Sequence, residues 1–115
     1  MIYTLIVSSN HLTDGRNALL QAEELIQQKN QINHIYFIFD GVYTANKYIE
    51  MPSDEFDLKQ AWSDFASKNN VRLSVCAASG FRRGITPETL ANGFSMGSIG
   101  ELVESCNVAD KVLTA

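Results

Sequence analysis

Two cysteines, Cys76 and Cys106, carry most of the reactive chemistry this chain offers. Cys76 closes the apolar run Val71-Arg72-Leu73-Ser74-Val75-Cys76-Ala77-Ala78, and the stretch Ser79-Gly80-Phe81-Arg82-Arg83-Gly84 follows it. A thiol reacts as its thiolate, and nearby cations favour that form. Arg82 and Arg83 are therefore expected to depress the pKa of Cys76 or to dock an anionic partner. The chemistry open to such a thiol is persulfide, disulfide or thioester exchange. Against this stands the commonest fate of cysteine, which is inert packing at the end of a buried strand. Cys106 has no cation near it before Lys111 and reads as structural.

The other residues with chemical potential are more scattered. Tyr43 and Asn46 lie just after a second apolar run. They are candidates either to line a crevice with Cys76 or to pack their loop onto a sheet. His11 could move protons on residue type alone. His11, His34 and the cysteines lack the spacing of metal ligands, so no metal is expected. The first loop, Ser8 to Gly15, contains neither GxGxxG nor GxxxxGK[ST], so a nucleotide or flavin site has only the fold class behind it.

Something must position Cys76, and the hydrophobic pattern supplies it. Residues 2–8 read as a strand. Ser9 to Gly15 reads as a loop, and a helix is expected from Arg16 to about Lys29 on the repeat Ala18, Leu19, Ala22, Leu25, Ile26. Residues 32–39 form a nearly continuous apolar run, expected of a strand covered on both faces. A short helical segment over 42–48 and a break at 52–55 precede a helix over 57–68, whose stripe Leu58, Ala61, Trp62, Phe65 reads as core. Residues 71–77 are the third strand. The stretch 80–92 reads as a loop, with Pro87 in a helical turn. Ser98 and Glu101 form a capping-box pattern opening a helix over 98–105. Residues 110–114 close as a fourth strand.

Strands alternating with helices predict a single α/β domain over 1–115. Its fold would be an open, mostly parallel sheet with helices on both faces, a flavodoxin- or Rossmann-like three-layer arrangement. The loops beginning at Ser8, Asp40 and Cys76 should then gather at the carboxyl ends of the strands, where such sheets bind ligands.

The bulk numbers agree with a globular protein: 115 residues, 45% hydrophobic and 19% charged. A net charge of -4 argues against binding nucleic acid by neutralising phosphates. No apolar run is long enough for a membrane span, and Met1 to Ser9 lacks a basic leader region. With no disulfide framework, the reducing cytoplasm is the expected compartment.

Four stretches together resemble the DsrE/TusD family of sulfur-relay subunits. They are Phe39-Asp40-Gly41-Val42-Tyr43-Thr44-Ala45-Asn46; Ser53 to Leu58 with Ala61-Trp62; Val75 to Ala78 with Arg82-Arg83-Gly84; and Gly93 to Leu102 ahead of Asp110-Lys111-Val112-Leu113. The resemblance implies that Cys76 carries sulfur as a persulfide, since paralogous subunits without a carrier role lack this cysteine. It implies a hetero-hexamer with paralogous subunits and small sulfur-carrier proteins as donor and acceptor. Sulfur would pass toward tRNA thiolation or toward dissimilatory sulfur oxidation, with no cofactor, no metal, and no direct contact with nucleic acid or membrane. Two departures bear on partner docking: Ser8-Ser9-Asn10-His11 lacks the family's frequent Gly-Pro, and the stretch between Gly84 and Gly93 is shorter. Two other readings stay open on the residues, a non-catalytic assembly subunit and a small-molecule or flavin-binding module.

Overall fold

The computed structural model describes all of residues 1–115. Five strands form one parallel sheet: β1 (Ile2–Val7), β2 (Gln31–Phe37), β3 (Leu73–Cys76), β4 (Phe94–Gly97) and β5 (Lys111–Thr114), in the order β4-β3-β2-β1-β5. Helices α1 (Leu12–Gln27), α2 (Leu58–Asn69), α3 (Ala77–Arg82) and α4 (Ile99–Val108) connect them, with 3₁₀ turns over Phe39–Ala45 and Pro87–Thr89. None of the helices is long and apolar enough to cross a membrane.

The strand order decides which face each helix covers. From β1 to β4 each step moves one strand in the same direction, so right-handed connections lay α1 and α2 on one face. The step from β4 to β5 runs back across the sheet and lays α4 on the other. Side chains alternate accordingly. Leu5, Val7, Ile35, Phe37, Leu73 and Val75 pack against Ala18, Leu19, Ala22, Leu58 and Trp62 in the larger core. Phe37 is wedged edge-on between Trp62 and Phe94, with ring centroids 5.6 Å and 5.4 Å away. The opposite face holds a much smaller apolar cluster of Tyr36, Cys76 and Leu102.

Several boundaries depart from the sequence pattern. Helix α1 starts at Leu12 and takes in Gly15, where a side chain would collide with Leu58 of α2; that close approach keeps a glycine in a helical turn. Residues after Cys76 form α3 directly, and the expected loop begins only at Gly84, whose φ of +75° suits glycine. The strand Phe94–Gly97 was not expected, because four residues flanked by glycine carry little pattern; it makes 110–114 the fifth strand. Phe94 is 8% exposed and belongs to the larger core. Phe39 lies outside β2 and begins the 3₁₀ turn with φ +52°. At Ser98 only half of the capping box forms, the hydroxyl accepting from Glu101 N at 3.2 Å.

The α4 face buries polar groups, and each finds a partner. Register slips by one residue between Tyr3 and Thr4, so Asn33 and His34 of β2 both face α4. Thr4 Oγ1 donates to Asn33 Oδ1 at 2.6 Å, and Asn33 Nδ2 donates to Ser105 O at 2.9 Å. Fully buried His34 lies 2.6 Å from Ser74 Oγ through Nε2 and 2.9 Å from Ser105 Oγ through Nδ1. Arg72 Nη2 donates to Nδ1 at 3.1 Å, so the ring's proton belongs on Nε2, given to Ser74. Burial, and then the Arg72 charge, push His34 down to about 4 from 6.5. The folded protein thus binds this proton less readily than the unfolded chain. The resulting stability is present above about pH 6.5 and lost as pH falls toward 4. Between pH 7 and pH 5 wild type should lose roughly 2 kcal/mol more than His34→Gln, which lacks this titrating group. Urea unfolding of both proteins at the two pH values measures this, and equal losses would refute it.

Candidate functional site

Cys76 is the last residue of β3 and the N-cap of α3, so the chain turns from strand to helix at the thiol itself. Its side chain faces α4, 2% exposed, in contact with Tyr36 and Leu102 and bordered by Ile6, Ile38 and Cys106. Its register partner on β4 is Gly97.

Tyr36 spans this spot. It pairs with Ser74 on β3, yet its hydroxyl donates to the Gly97 carbonyl on β4, 3.2 Å away. The side chain must cross β3 on the face where the Cys76 sulfur stands. Glycine at 97 lets Ser74 of β3 and Glu101 of α4 come close: a Cβ there would lie 3.0 Å from Ser74 Cβ and 3.1 Å from Glu101 Oε2.

Behind the sulfur, α3 supplies further donors. Ser79 Oγ accepts from Phe39 N at 3.0 Å, which leaves its hydrogen free to turn toward the thiol. Burial is the largest influence on Cys76 and pushes its pKa up. The Ser79 hydroxyl and amide, the Tyr36 hydroxyl and the Ala78 amide together outweigh it, so the thiol lies below its ordinary value. At the N-cap of α3 the sulfur itself makes no side-chain capping hydrogen bond. Burial, then Cys76, then the Glu101 carboxylate raise Tyr36 well above the usual phenol range, so it stays protonated.

The residues singled out by spacing are distributed around this site, and not all reach it. Arg83 Nε binds Asp40 Oδ1 at 3.0 Å and Nη1 binds Ser79 O at 3.1 Å, clipping the end of α3 to the 3₁₀ turn. Arg82 is exposed and makes no ion pair. Neither guanidinium is among the groups that lower the Cys76 pKa, contrary to what their spacing suggested; helix α3 carries Arg82 away from its own first residue. Tyr43 packs at the edge of the larger core and, with Asn10, Leu12 and Lys59, lines a separate cleft of about 170 Å³. Asn46 accepts from Tyr48 N at 3.0 Å and bridges to Leu90. Cys106 is half-buried beside the Cys76 cluster. His11 is exposed. No three His, Cys, Asp or Glu side chains converge as a metal site would require.

Tyr36, Ser79, Gly97 and Glu101 escaped the sequence reading. Alternation along β2 would have put His34 and Tyr36 on one face. Nothing local tells that this face is also that of Cys76. The elements that carry the site also bear exposed apolar side chains: Phe39 is 57% exposed, Phe81 58% and Ile99 50%.

With the geometry in view, the comparisons with known proteins are consistent among themselves. The family described as the DsrE/DsrF-like family matches residues 1–115. Curated relatives named Sulfurtransferase TusD are 32% identical in Cronobacter sakazakii, covering 98% of both chains, and 31% identical in Proteus mirabilis, covering 98% of this chain and 97% of that one. Both alignments run over 126 residues, more than this chain has, so the relatives carry insertions it lacks. The crystal structure of the ychN protein from E. coli superposes with a TM-score of 0.83 at 24% identity over the full length of both chains. The protein MTH1491 from Methanobacterium thermoautotrophicum, titled as of unknown function, superposes with a TM-score of 0.79 at 12% identity over 97% of each. These two likenesses establish the shared fold.

The placement of donors generates a direct expectation for Cys76. Ser79→Ala should raise the midpoint of its alkylation-versus-pH curve by about one unit, the loss of a hydrogen bond to a charged acceptor. Arg82→Ala should leave the midpoint in place. A curve that moves with Arg82 and ignores Ser79 would reverse this assignment.

Proposed function

The chain belongs to the DsrE/DsrF-like family, and on that footing we propose that it is a sulfurtransferase subunit. It takes sulfane sulfur onto Cys76 as a persulfide and hands it to a partner protein. The observation that carries the reading is a thiol at the carboxyl end of β3 whose pKa lies below the ordinary value in spite of burial. Support comes from the relatives named as sulfurtransferases, which align with 98% of this chain.

The chemistry is thiol exchange. The Cys76 thiolate attacks the outer sulfur of a donor persulfide, the donor's sulfur–sulfur bond breaks, and the donor leaves as a thiolate. An acceptor thiolate later attacks the same sulfur, and the Cys76 thiolate leaves in turn. No net oxidation occurs, and neither a cofactor nor a metal takes part. Tyr43 and Asn46 have no step in this scheme.

Small sulfur-carrier proteins are the proposed donor and acceptor, in a relay toward tRNA thiolation or toward sulfur oxidation. The exposed Arg82 beside Phe81 suits docking of such a carrier, and the net charge of -4 suits hand-off between proteins better than direct binding of tRNA. Assembly with paralogous subunits, as a hetero-hexamer, is supported by the outer surface of α4 and β5, where Ile99, Val103, Val108 and Val112 are all exposed. The proposed setting is the cytoplasm, where both cysteines stay reduced.

The burial of Cys76 gives some weight to a second reading, a subunit that assembles without carrying sulfur. Incubation with a persulfide donor separates the two. Intact mass should rise by one sulfur, located on the Cys76 peptide, retained in Cys106→Ser and absent in Cys76→Ser. Sulfur found only on Cys106, or none at all while the protein still joins its paralogues, favours the assembly reading. Light scattering of the isolated chain at high micromolar concentration should give more than a monomer mass, and a stable monomer would count against the proposed assembly.

A further inference from the structure

We propose that Tyr36 is the hydrogen-bond donor that serves the Cys76 sulfur during transfer. Its hydroxyl rests on the Gly97 carbonyl while the sulfur is neutral and turns to the sulfur when it becomes an anion. The inference deepens the sulfurtransferase reading and rests on it for the transfer step alone.

Four observations lead here. The side chain crosses β3 over the register position of Cys76 and touches that residue. Its present bond is weak: 3.2 Å is long for an O–H···O contact, whose usual distance is about 2.7–2.8 Å. An anionic acceptor makes a bond roughly twice as strong as a neutral one, so a thiolate would outcompete the carbonyl. The ring itself is fixed. It stands edge-on to His34 at 5.6 Å, and His34 is pinned by Ser74, Ser105 and Arg72. The hydroxyl is the part of the side chain left free to turn. The site's burial, then Cys76 itself and the Glu101 carboxylate, keep the phenol protonated, so it can donate without ionising.

The step balances without a further reactant. The acceptor thiolate forms a bond to the outer sulfur of the Cys76 persulfide. The bond between that sulfur and Cys76 Sγ breaks, and its electron pair remains on Sγ. A leaving thiolate in a site 2% exposed lacks water to solvate it, and an unpaired buried anion is expensive. Tyr36 adds a donor to those of Ser79 and the Ala78 amide and keeps its proton throughout.

The test uses the unloaded protein in a Cys106→Ser background, so that one thiol titrates. Tyr36→Phe preserves the ring against His34 and removes the hydroxyl. The Cys76 midpoint, followed by thiolate absorbance and by iodoacetamide rate against pH, should rise by about one unit. Release of sulfur from the loaded variant to a small thiol should slow about tenfold. A second arm places 3-fluorotyrosine at position 36, a stronger donor of nearly the same size, and should lower the midpoint. Opposite shifts in the two arms support the proposal. An unchanged midpoint in folded Tyr36→Phe, or a fluorotyrosine shift in the same direction as Phe, overturns it. If Tyr36→Phe does not fold, the fluorotyrosine arm decides alone. If wild type takes up no sulfur, the sulfurtransferase reading fails while the titration still reports on Tyr36.

Discussion

The return connection from β4 to β5 is the constraint on which the rest of the molecule depends. Four successive strands advance in one direction and place their two long helices on one face. Only the last connection runs back, so a single ten-residue helix covers the other face. One side of the sheet is a dense core of aromatic and aliphatic side chains. The other is thin, and Cys76 points into it.

A thin layer cannot be stabilised by apolar burial alone, and this one is laced with polar contacts. Thr4, Asn33, His34, Ser74 and Ser105 form a chain of hydrogen bonds beneath α4, with Arg72 closing it from the surface. Each bond contributes little net stability, on the order of 1 kcal/mol, but an unmatched member would cost more than that. The network therefore specifies geometry: it fixes the height and tilt of α4 over the sheet and holds the His34 ring against Tyr36. The residues that set the site's shape are largely not the residues that touch the sulfur.

At the thiol, two physical effects compete. Burial disfavours the anion, while hydroxyl and amide donors converging from β2 and α3 favour it. The donors win. No arginine is among the groups that lower the thiol's pKa; Arg83 is engaged by Asp40. A thiol controlled by hydroxyls differs from one controlled by cations: the reactive form is stabilised by groups that rotate in place, and salt has little to screen.

The alternation of the first three strands with α1 and α2, the parallel α/β class, the core stripe of α2 and the position of Cys76 at a strand's end were all legible along the chain. Each is a matter of local periodicity, which residues i, i+2 or i+3 and i+4 carry by themselves. The fourth strand was not legible, since Phe94 to Gly97 is short and glycine-flanked and becomes a strand only by pairing with β3. The helix after Cys76 was obscured by Gly80 and Gly84, and the start of α1 by Gly15, whose place follows from a contact with Leu58 forty-three residues away. The surroundings of the thiol lay furthest from the sequence. Arg82 and Arg83 are close to Cys76 along the chain but turned from it by a helix. Tyr36, Gly97 and Glu101 are distant along the chain and brought together by register across three strands and one returning helix. Which residue types could do chemistry was written in the sequence; which of them meet depended on strand pairing, and pairing is a property of the folded sheet.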